Sequence, residues 1–376
     1  MKNLTYFILI AIILSSCSSG KKALQKGDYF SAVYKAVDRL KSDPDNSKAI
    51  SVLREGYPLT LQWSQEELDM ILSNNNAFKW EQSINIMNQV NNLARQIRST
   101  PAARRIISNP KTYTSELTMA TEKAAVERYN AGLYELDKNT RESARMAFSH
   151  FQMADRFIPG YMDVFEKMEE SKQLATIHVV LEAIPVNTTA FKLSSEFFYD
   201  QVYEFLNNRY PRESFVNFYS PGQAENMGLE YPDYFVEMNF FDFTVGNTSH
   251  SEKEETVKKR VQIESKDTTR IQYKNYEAKI KIFTDEVVSG GLLDLRIIES
   301  PENKLVLNNR IPGSFTWVND YAIFVGDIEA LDKNQTELIK RKAAPLPPKQ
   351  DLFIEFTKPI YSQLTTELNQ FFRRFN

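Results

Sequence analysis

Cysteine and histidine are scarce in this chain of 376 residues, which contains one Cys and three His. One cysteine cannot form a disulfide within the chain. His150, His178 and His250 lie far apart in sequence, and none has the spacing of a metal-binding motif. The sequence also lacks a glycine-rich phosphate loop and the G-x-S-x-G motif of a nucleophile elbow. No motif of metal, phosphate or nucleophilic chemistry is recognisable.

Long apolar runs and an excess of one charge are missing as well. The run Leu4–Leu14 is shorter than the about 20 apolar residues of a transmembrane helix, and no run of sufficient length follows it. The formal net charge of −3 gives no basic excess for nucleic acid. The 42% hydrophobic and 25% charged residues are typical of a globular protein, and the length allows two domains with a sizeable core. The low content of glycine, 12 residues, favours a helix-rich chain.

The first residues have the layout of a secretory signal peptide. Lys2 precedes the apolar run and small residues follow it, so we predict a signal peptide over 1–16. Leu14-Ser15-Ser16-Cys17 resembles the lipobox of bacterial lipoproteins. This resemblance implies that Cys17 is acylated, for instance with palmitate, and becomes the first residue of a membrane-anchored mature protein. The alternative is an ordinary signal peptide with a chance cysteine near the cleavage site.

The residues after Cys17 indicate which membrane holds the anchor. Ser18 stands where an Asp often marks inner-membrane retention in lipoproteins of Gram-negative bacteria. Lys21 and Lys22 stand where some Bacteroidetes-type lipoproteins carry the acidic cluster that directs surface export. With the lipobox at Cys17 and no Asp at position 18, the chain resembles an outer-membrane lipoprotein of the Bacteroidetes type. It lacks the acidic cluster for surface export. We expect it to be anchored by lipid in the outer membrane and to face the periplasm.

Two segments after the anchor resemble tetratricopeptide repeats. In the first, Gly27 precedes Tyr29, Ala32 follows in the same predicted helix, and Pro44 comes after the helix. A small residue such as Ala32 lets two antiparallel helices approach closely, while Gly27 allows a turn and Pro44 ends a helix. The order matches the second half of a repeat, in which a Gly-Asp-Tyr turn leads into the second helix.

The second segment lies at 127–161. Gly132 falls in its first helix, and Ala147, Phe151, Ala154 and Pro159 keep the spacing of the second helix. The loop between the helices is longer than in the family pattern, and 47–110 lacks a clear repeat signature. The resemblance implies a helical domain of tetratricopeptide-like repeats over 17–175, with a groove for a protein partner. An unrelated helical bundle with the same packing residues is the alternative.

The composition changes near residue 176, and we predict a mixed α/β domain over 176–376. Residues 177–186 are rich in β-branched side chains, 191–210 has helical periodicity, and 231–246 predicts a long aromatic strand. Ser289-Gly290-Gly291 between two apolar segments predicts a hairpin turn. The final helix places one apolar stripe along its length, formed by Tyr361, Leu364, Leu368, Phe371 and Phe375.

Two segments of this domain lie outside the predicted core. Residues 249–270 are rich in charge, and we expect a protruding charged loop or ribbon there. Residues 343–349 include Pro345, Pro347 and Pro348, which favour polyproline II, so we expect a strap that leads into a strand at 351–356. A peptide-recognition site in this strap is the alternative.

The C-terminal half also resembles a class of envelope proteins. The order PDYFVEMNFFDF, then AKIKIFTDEVVSGG, resembles domains of curli-secretion lipoproteins and of lipoprotein activators of penicillin-binding proteins. This resemblance carries no residue-level function. The order of predicted strands and helices in this half itself indicates a mixed sheet with helices covering one face. We therefore expect an α+β multidomain protein in which tetratricopeptide-like helical repeats precede a mixed α/β sandwich.

The residues that could carry chemistry favour binding over catalysis. Adjacent acids such as Glu169-Glu170 and Asp285-Glu286 point apart in a helix or strand, and Cys17 is committed to lipid. We therefore expect a non-catalytic outer-membrane lipoprotein, a protein-binding scaffold or accessory subunit of an envelope assembly or secretion complex. Its expected partners are outer-membrane or periplasmic proteins, with no nucleic acid, metal or other cofactor. A lipoprotein regulator of a cell-wall synthase is the alternative, and an enzyme is the third hypothesis.

Overall fold

The computed structural model describes residues 20–185, 191–263 and 272–376. Internal contacts divide the chain into two units, Met1–Ala175 and Thr176–Asn376. The described part of the first unit is helical, whereas the second combines helices with one sheet, so the predicted α+β class is confirmed. The predicted signal peptide 1–16 and Cys17 lie outside the described residues.

Short turns join the helices of the first unit. The side chains of Asp28, Asn46 and Thr140 each accept a hydrogen bond from a backbone N–H in the first turn of a helix, so these residues act as N-caps. Such a cap stabilises a helix by about 1 kcal/mol. In chain order the helices are α1 Lys21–Gln25, α2 Tyr29–Ser42, α3 Ser47–Ser73, α4 Lys79–Ser99, α5 Pro101–Ile106, α6 Ser115–Asp137, α7 Arg141–Phe157 and α8 Val164–Ala175.

Buried apolar side chains join these helices in three clusters. One lies among α1–α5, one among α3, α4 and α6, and one among α6, α7 and α8. Full burial of a Leu or Ile side chain stabilises the fold by about 1.5–3 kcal/mol. The clusters are represented by Leu40, Leu53 and Ile97, by Leu68 and Val90, and by Phe151 and Val164.

The segment 47–110, which lacks a clear repeat signature, contains α3, α4 and α5. Helix α3 is 27 residues long and includes Pro58. Gly56 in α3 faces α2, and a Cβ atom at Gly56 would lie 3.1 Å from Cγ2 of Val33. Close contact through a small residue therefore joins α2 and α3 as well.

One five-stranded sheet forms the centre of the second unit, in the order β2-β1-β3-β4-β5. Strand β1 pairs in parallel with β2 and β3, whereas β3–β4 and β4–β5 are antiparallel. Parallel strands need crossover connections, and helices α9 and α10 occupy them. The elements are β1 Ile177–Leu181, α9 Lys192–Arg209, β2 Val216–Tyr219, α10 Pro221–Asn226, β3 Tyr234–Ile263, β4 Gln272–Glu299, β5 Lys304–Gly326, α11 Lys333–Leu338 and α12 Lys349–Phe372.

Aromatic rings form the centre of the core between this sheet and helices α9 and α12. The ring of Phe240 in β3 lies 5.3 Å from Phe198 and 5.2 Å from Phe353, measured between centroids. Phe353 lies 5.0 Å from Phe356 in the same helix. Edge-to-face pairs of this kind contribute about 0.5–1.5 kcal/mol beyond their burial. The high content of Phe in the sequence is thus used in packing.

The segment 249–270, expected to be a protruding charged loop or ribbon, is a ribbon in its described part, so only the loop alternative is wrong there. Residues 249–263 belong to β3, and Ser249–Ile263 pairs with Glu286–Gln272 of β4. Among the described residues no strand pairs with the other side of β3 over this length, and most of its side chains are exposed, whereas Val257 packs against the buried cluster around Ala278 and Ile280. The charge run therefore indicated solvent exposure of a ribbon. Residues 264–270 lie outside the described residues.

The prediction of a turn at Ser289-Gly290-Gly291 is also wrong. These residues lie inside β4, which continues through them. A Cβ atom on Gly291 would lie 2.4 Å from Cβ of Phe243, close to the shift in β3 register between Phe241 and Phe243. Glycine here leaves room for a bulge in the neighbouring strand, which is a second common use of glycine in sheets.

The predicted strand at 351–356 is part of helix α12, so the proline-rich strap leads into a helix. Leu352, Phe353, Phe356 and Ile360 are buried at helical spacing. Pro348 directly precedes the helix, where a missing backbone N–H has no cost. Strand β5, for which no prediction was made, completes the sheet.

Candidate functional site

The predicted residues of the first repeat lie around α2. Gly27 has a φ of +78° in the turn between α1 and α2, a conformation that glycine adopts without strain. Tyr29 is the first residue of α2 and half-buried, and Ala32 is completely buried. Pro44 is exposed in the turn before α3. The four residues thus occupy a turn, a helix start, an interhelical contact and a second turn.

The predicted residues of the second repeat meet between α6 and α7. A Cβ atom on Gly132 would lie 2.6 Å from Cε1 of Phe151, so only glycine fits without a shift of the ring. Phe151, Ala147 and Ala154 are completely buried on the facing side of α7. Pro159 is exposed in the turn after α7. Gly132 and the two alanines therefore set the close approach of the two helices.

A hydrogen bond ties the start of α8 to the middle of α6. The hydroxyl of Tyr129 donates to Oδ1 of Asp163, one residue before α8 begins. This bond raises the pKa of Tyr129 to about 12 and lowers the pKa of Asp163. The Tyr129 ring also packs edge-on against Phe151 and Tyr161, at 5.5 Å in both cases. Tyr129 therefore holds α6, α7 and α8 in a fixed arrangement.

A polar cluster joins α4, α6 and α7 on another side. Arg128 donates from Nε to Oε2 of Glu81 at 2.8 Å, and its Nη1 lies 3.1 Å from Nδ1 of His150. The guanidinium lies 3.7 Å from the ring centroid of Phe78, which stacks on His150 at 5.4 Å. Burial, and then the Arg128 charge, lowers the pKa of His150. This cluster is polar packing between helices.

An exposed apolar stripe follows one face of α6. Met119, Val126 and Leu133 are seven residues apart, which places them on the same side of a helix. Their exposed fractions are 45%, 41% and 36%. The same helix also buries Ala124, Tyr129 and Gly132. Helix α6 thus has two apolar faces, and the one with these three residues packs inside the unit. The other faces solvent.

This stripe leads into a cavity between α6 and α8. The cavity has a volume of about 600 Å³, and its apolar lining comes from Leu133 and Leu136 on α6 and from Leu174 on α8. Leu174 is itself 42% exposed. We call the stripe and this cavity together the α6–α8 groove.

Charged and polar side chains border the groove. Lys167 and Glu170 line its α8 side and form an ion pair at 2.7 Å, and the hydrogen bond with Glu170 raises the pKa of Lys167. Asp137 and Asn139 line its α6 end. A lining that contains both apolar and polar side chains can hold apolar side chains while its polar groups bind the backbone or charges of the same segment.

The three histidines have different surroundings within their own units. His150 belongs to the polar cluster of the first unit, whereas His178 and His250 are on β1 and β3 of the second. His178 stacks on Tyr219 at 5.7 Å, and Nδ1 of His250 lies 2.6 Å from Oδ1 of Asp285. In the described ranges no group of three His, Cys, Asp or Glu side chains could bind a metal ion. Nor is any helix in those ranges long and apolar enough to span a membrane.

Comparison with known proteins assigns no family. No family model matches the chain, and no curated protein matches it. Among solved structures, the chain is similar to one from Helicobacter pylori described as a neuraminyllactose-binding hemagglutinin homolog. The two chains are 15% identical, with 53% of this chain and 90% of the other covered and a TM-score of 0.26. A similarity of this size determines neither fold nor function.

The residues of the groove were not predicted from the sequence. Met119, Val126, Leu133 and Leu174 look like ordinary core residues of amphipathic helices. A signal was nevertheless present, since α6 carries a second apolar row in addition to the row of small residues that packs against α7. A helix with two apolar faces has either two buried contacts or one free binding surface.

Proposed function

We propose that this protein is a non-catalytic, lipid-anchored scaffold of the bacterial outer membrane, and that it binds a partner protein in the α6–α8 groove. The exposed row of Met119, Val126 and Leu133, continued by the cavity that Leu133, Leu136 and Leu174 line beside polar residues, carries this proposal. Large apolar side chains that are exposed along one side of a helix and lead to a cavity form a candidate interaction surface.

The helix hairpins support the proposal as tetratricopeptide-like repeats. We take α6 and α7 as one helix pair and α8 as the first helix of the next. Helices α6 and α8 both line the cavity, while α7 packs against α6 through Gly132 and Phe151. Stacked helix pairs present their first helices on one shared surface, which binds extended or helical segments.

The groove favours a segment with regularly spaced apolar side chains. Its leucine side chains accept Leu-like or aromatic side chains, and the lining residues Asp137, Lys167 and Glu170 offer both signs of charge. An amphipathic helix or an extended strand of a protein partner meets these requirements, because each presents apolar groups at a fixed spacing.

The membrane location is part of the proposal and depends on Cys17. Lipidation of this residue would hold the helical unit at the membrane surface, since several buried acyl chains give stable attachment at about 0.8 kcal/mol per CH₂. Lys21 and Lys22 after the cysteine favour the periplasmic side of the outer membrane over surface export.

Affinity capture from detergent-solubilised envelopes tests the groove. The wild-type chain is compared with the double variant Val126→Asp/Leu133→Asp, in which two carboxylates replace exposed apolar side chains. We expect one or more envelope proteins to be captured by the wild type and lost from the variant, because an unpaired charge is costly in an apolar contact. Mass spectrometry identifies them.

Met146→Asp is the matched control. Met146 is 42% exposed on α7 and does not line the cavity. Its variant should capture the same proteins as the wild type. If the double variant also captures them in the same amounts, the α6–α8 groove is not the binding site.

A further inference from the structure

Strand β5 forms one edge of the sheet in the second unit. It pairs with β4 on one side, and among residues 20–185, 191–263 and 272–376 no strand pairs with its other side. The backbone N–H and C=O groups on the free side of an edge strand can bind a further strand. The free side of β5 is thus a possible interaction surface.

The two edges of the long ribbon formed by β3, β4 and β5 differ in charge. In β3, seven of the nine residues from 252 to 260 are charged. In β5, Asp320 is the single charged residue from 313 to 326. Charged side chains, lysine above all, are the usual protection of an edge strand against pairing with another chain. β3 has this protection and β5 lacks it.

The free edge of β5 also exposes apolar side chains. Val318, Ile323 and Val325 are exposed by 50%, 58% and 79%. Val318 lies on one face of the strand, and Ile323 and Val325 lie on the other, because side chains alternate. A strand added to this edge would cover apolar surface on both faces of the ribbon.

Pro312 indicates which residues direct backbone groups toward the free edge. Proline has no N–H and is accepted in an edge strand where its nitrogen faces away from the neighbouring strand. The carbonyl of Pro312 accepts a hydrogen bond from Nε2 of Gln363 at 3.5 Å. The backbone N–H and C=O groups of successive residues point to alternate sides of a strand. The residues whose backbone groups point to the free edge are therefore the even-numbered ones, Ser314, Thr316, Val318, Asp320, Ala322 and Phe324.

We propose that two copies of this chain associate through β5, paired antiparallel about a two-fold axis at Asn319. An axis at Asp320 would place two carboxylates opposite each other, and like charges in this position are destabilising. With the axis at Asn319, Asp320 instead faces Val318 of the partner subunit. Uncharged side chains then face each other along the remaining pairs.

The same register matches apolar side chains across the interface. It places Trp317 opposite Tyr321 of the partner subunit and Phe315 opposite Ile323 of the partner subunit, and aromatic and β-branched pairs stabilise antiparallel strands. Because both copies use the same surface, the free edges of both β5 strands are paired in the dimer, and no further copy can add to them. The lack of charge at this edge is then a feature of a closed dimer.

Sedimentation measures the association directly. The protein is the full chain with Cys17→Ser, purified in detergent. This substitution removes both the proposed lipid and the single thiol. At about 1–100 μM we expect the mass of the protein component to rise from one chain of 43.6 kDa toward two. A mass of one chain over this whole range would overturn the proposal.

A cysteine at the proposed axis tests the register. In the Cys17→Ser chain, Asn319→Cys places two thiols opposite each other in a pair without backbone hydrogen bonds, where the Cα atoms are about 4.5 Å apart. We expect rapid oxidation to a disulfide-linked dimer. Thr256→Cys, exposed on the charged edge of β3, is the control and should remain monomeric on denaturing gels. Equal cross-linking of both variants, or none at position 319, would overturn the proposal.

The sign of a charge at position 318 gives an independent test. Val318→Glu faces Asp320 of the partner subunit at two symmetric places, so we expect the dissociation constant to rise about tenfold or more. Val318→Lys faces the same carboxylate and should not weaken the dimer. Val288→Glu, on β4, is exposed by 40% and serves as the control that leaves association unchanged. If Val318→Glu and Val318→Lys weaken association equally, the proposed register is wrong.

Discussion

Gly132 in α6 lies directly against the ring of Phe151 in α7. A Cβ atom on Gly132 would lie 2.6–2.8 Å from Cε1, Cδ1 and Cζ of that ring, and Phe151 is completely buried. The ring therefore cannot move away without opening the contact between the two helices. This contact sets the position of α6, whose other face forms the floor of the α6–α8 groove.

Gly132→Ala should destabilise the first unit. The added methyl group overlaps a buried ring, and overpacking of this kind costs about 1–3 kcal/mol. Urea denaturation followed by circular dichroism measures the change. Gly222→Ala in α10 is the control, since a Cβ atom there meets nothing within 4 Å. Equal stability of Gly132→Ala and the wild type would mean that α6 and α7 are not in close contact.

Stability should depend on pH through His150. Burial and the Arg128 charge lower its pKa below the usual 6.5 in the folded state, so the unfolded chain binds a proton more readily. The contribution of neutral His150 is thus fully present above pH 6.5 and is lost as the pH falls through the lowered pKa. We expect the free energy of unfolding to decrease below pH 6.5.

His150→Asn provides the comparison for this pH dependence. The asparagine side chain does not bind a proton in this pH range. The variant should therefore lose less stability than the wild type between pH 6.5 and 5. Denaturant midpoints are measured at each pH for both proteins. Identical pH profiles would show that His150 does not titrate differently in the folded and unfolded states.

Cys17→Ser should abolish lipid attachment. A serine cannot form the thioether that holds the acyl groups, so we expect no incorporation of labelled palmitate and an uncleaved or released protein. Fractionation of envelopes gives the second readout. A variant that is cleaved and still fractionates with the outer membrane would show that lipid is not the anchor.

Local patterns in the sequence were sufficient to predict the buried strands and helix near the start of the second unit. The β-branched run 177–186 contains β1, the periodic segment 191–210 contains α9, and the aromatic segment 231–246 begins β3. In α9 and at the start of β3 the buried side chains repeat on one face, which sequence periodicity reports directly, whereas β1 is buried on both faces and is visible as a short apolar run.

The long strands could not be predicted in the same way. Gly290 and Gly291 suggested a turn because their contact with β3 is about 50 residues away in sequence and leaves no local trace. β5 contains Pro312 and Gly313, which usually interrupt a strand, and here Gly313 instead leaves room for α12, since its Cβ would lie 2.4 Å from the carbonyl oxygen of Phe356. Tertiary contacts, and not local preference, determine these elements.

The sequence predicted the residues that pack the helices of the candidate site together. It did not predict the exposed residues that form the groove. Small residues at repeat spacing, such as Gly132 and Ala147, are visible in sequence because close packing tolerates few alternatives. Val126 and Leu133 resemble core residues, and only the exposed surface of the folded unit distinguishes them. Exposure is a property of the tertiary structure.

Photo-cross-linking in living cells tests the central proposal most directly. A photoreactive amino acid replaces Leu133 in the α6–α8 groove, or Met146 on α7 as the control, and the products are identified by mass spectrometry. We predict that one discrete product with an outer-membrane or periplasmic protein forms from position 133 and is absent from position 146. The same product from both positions, or none from position 133 while the protein is folded and anchored, would contradict a binding role for the groove.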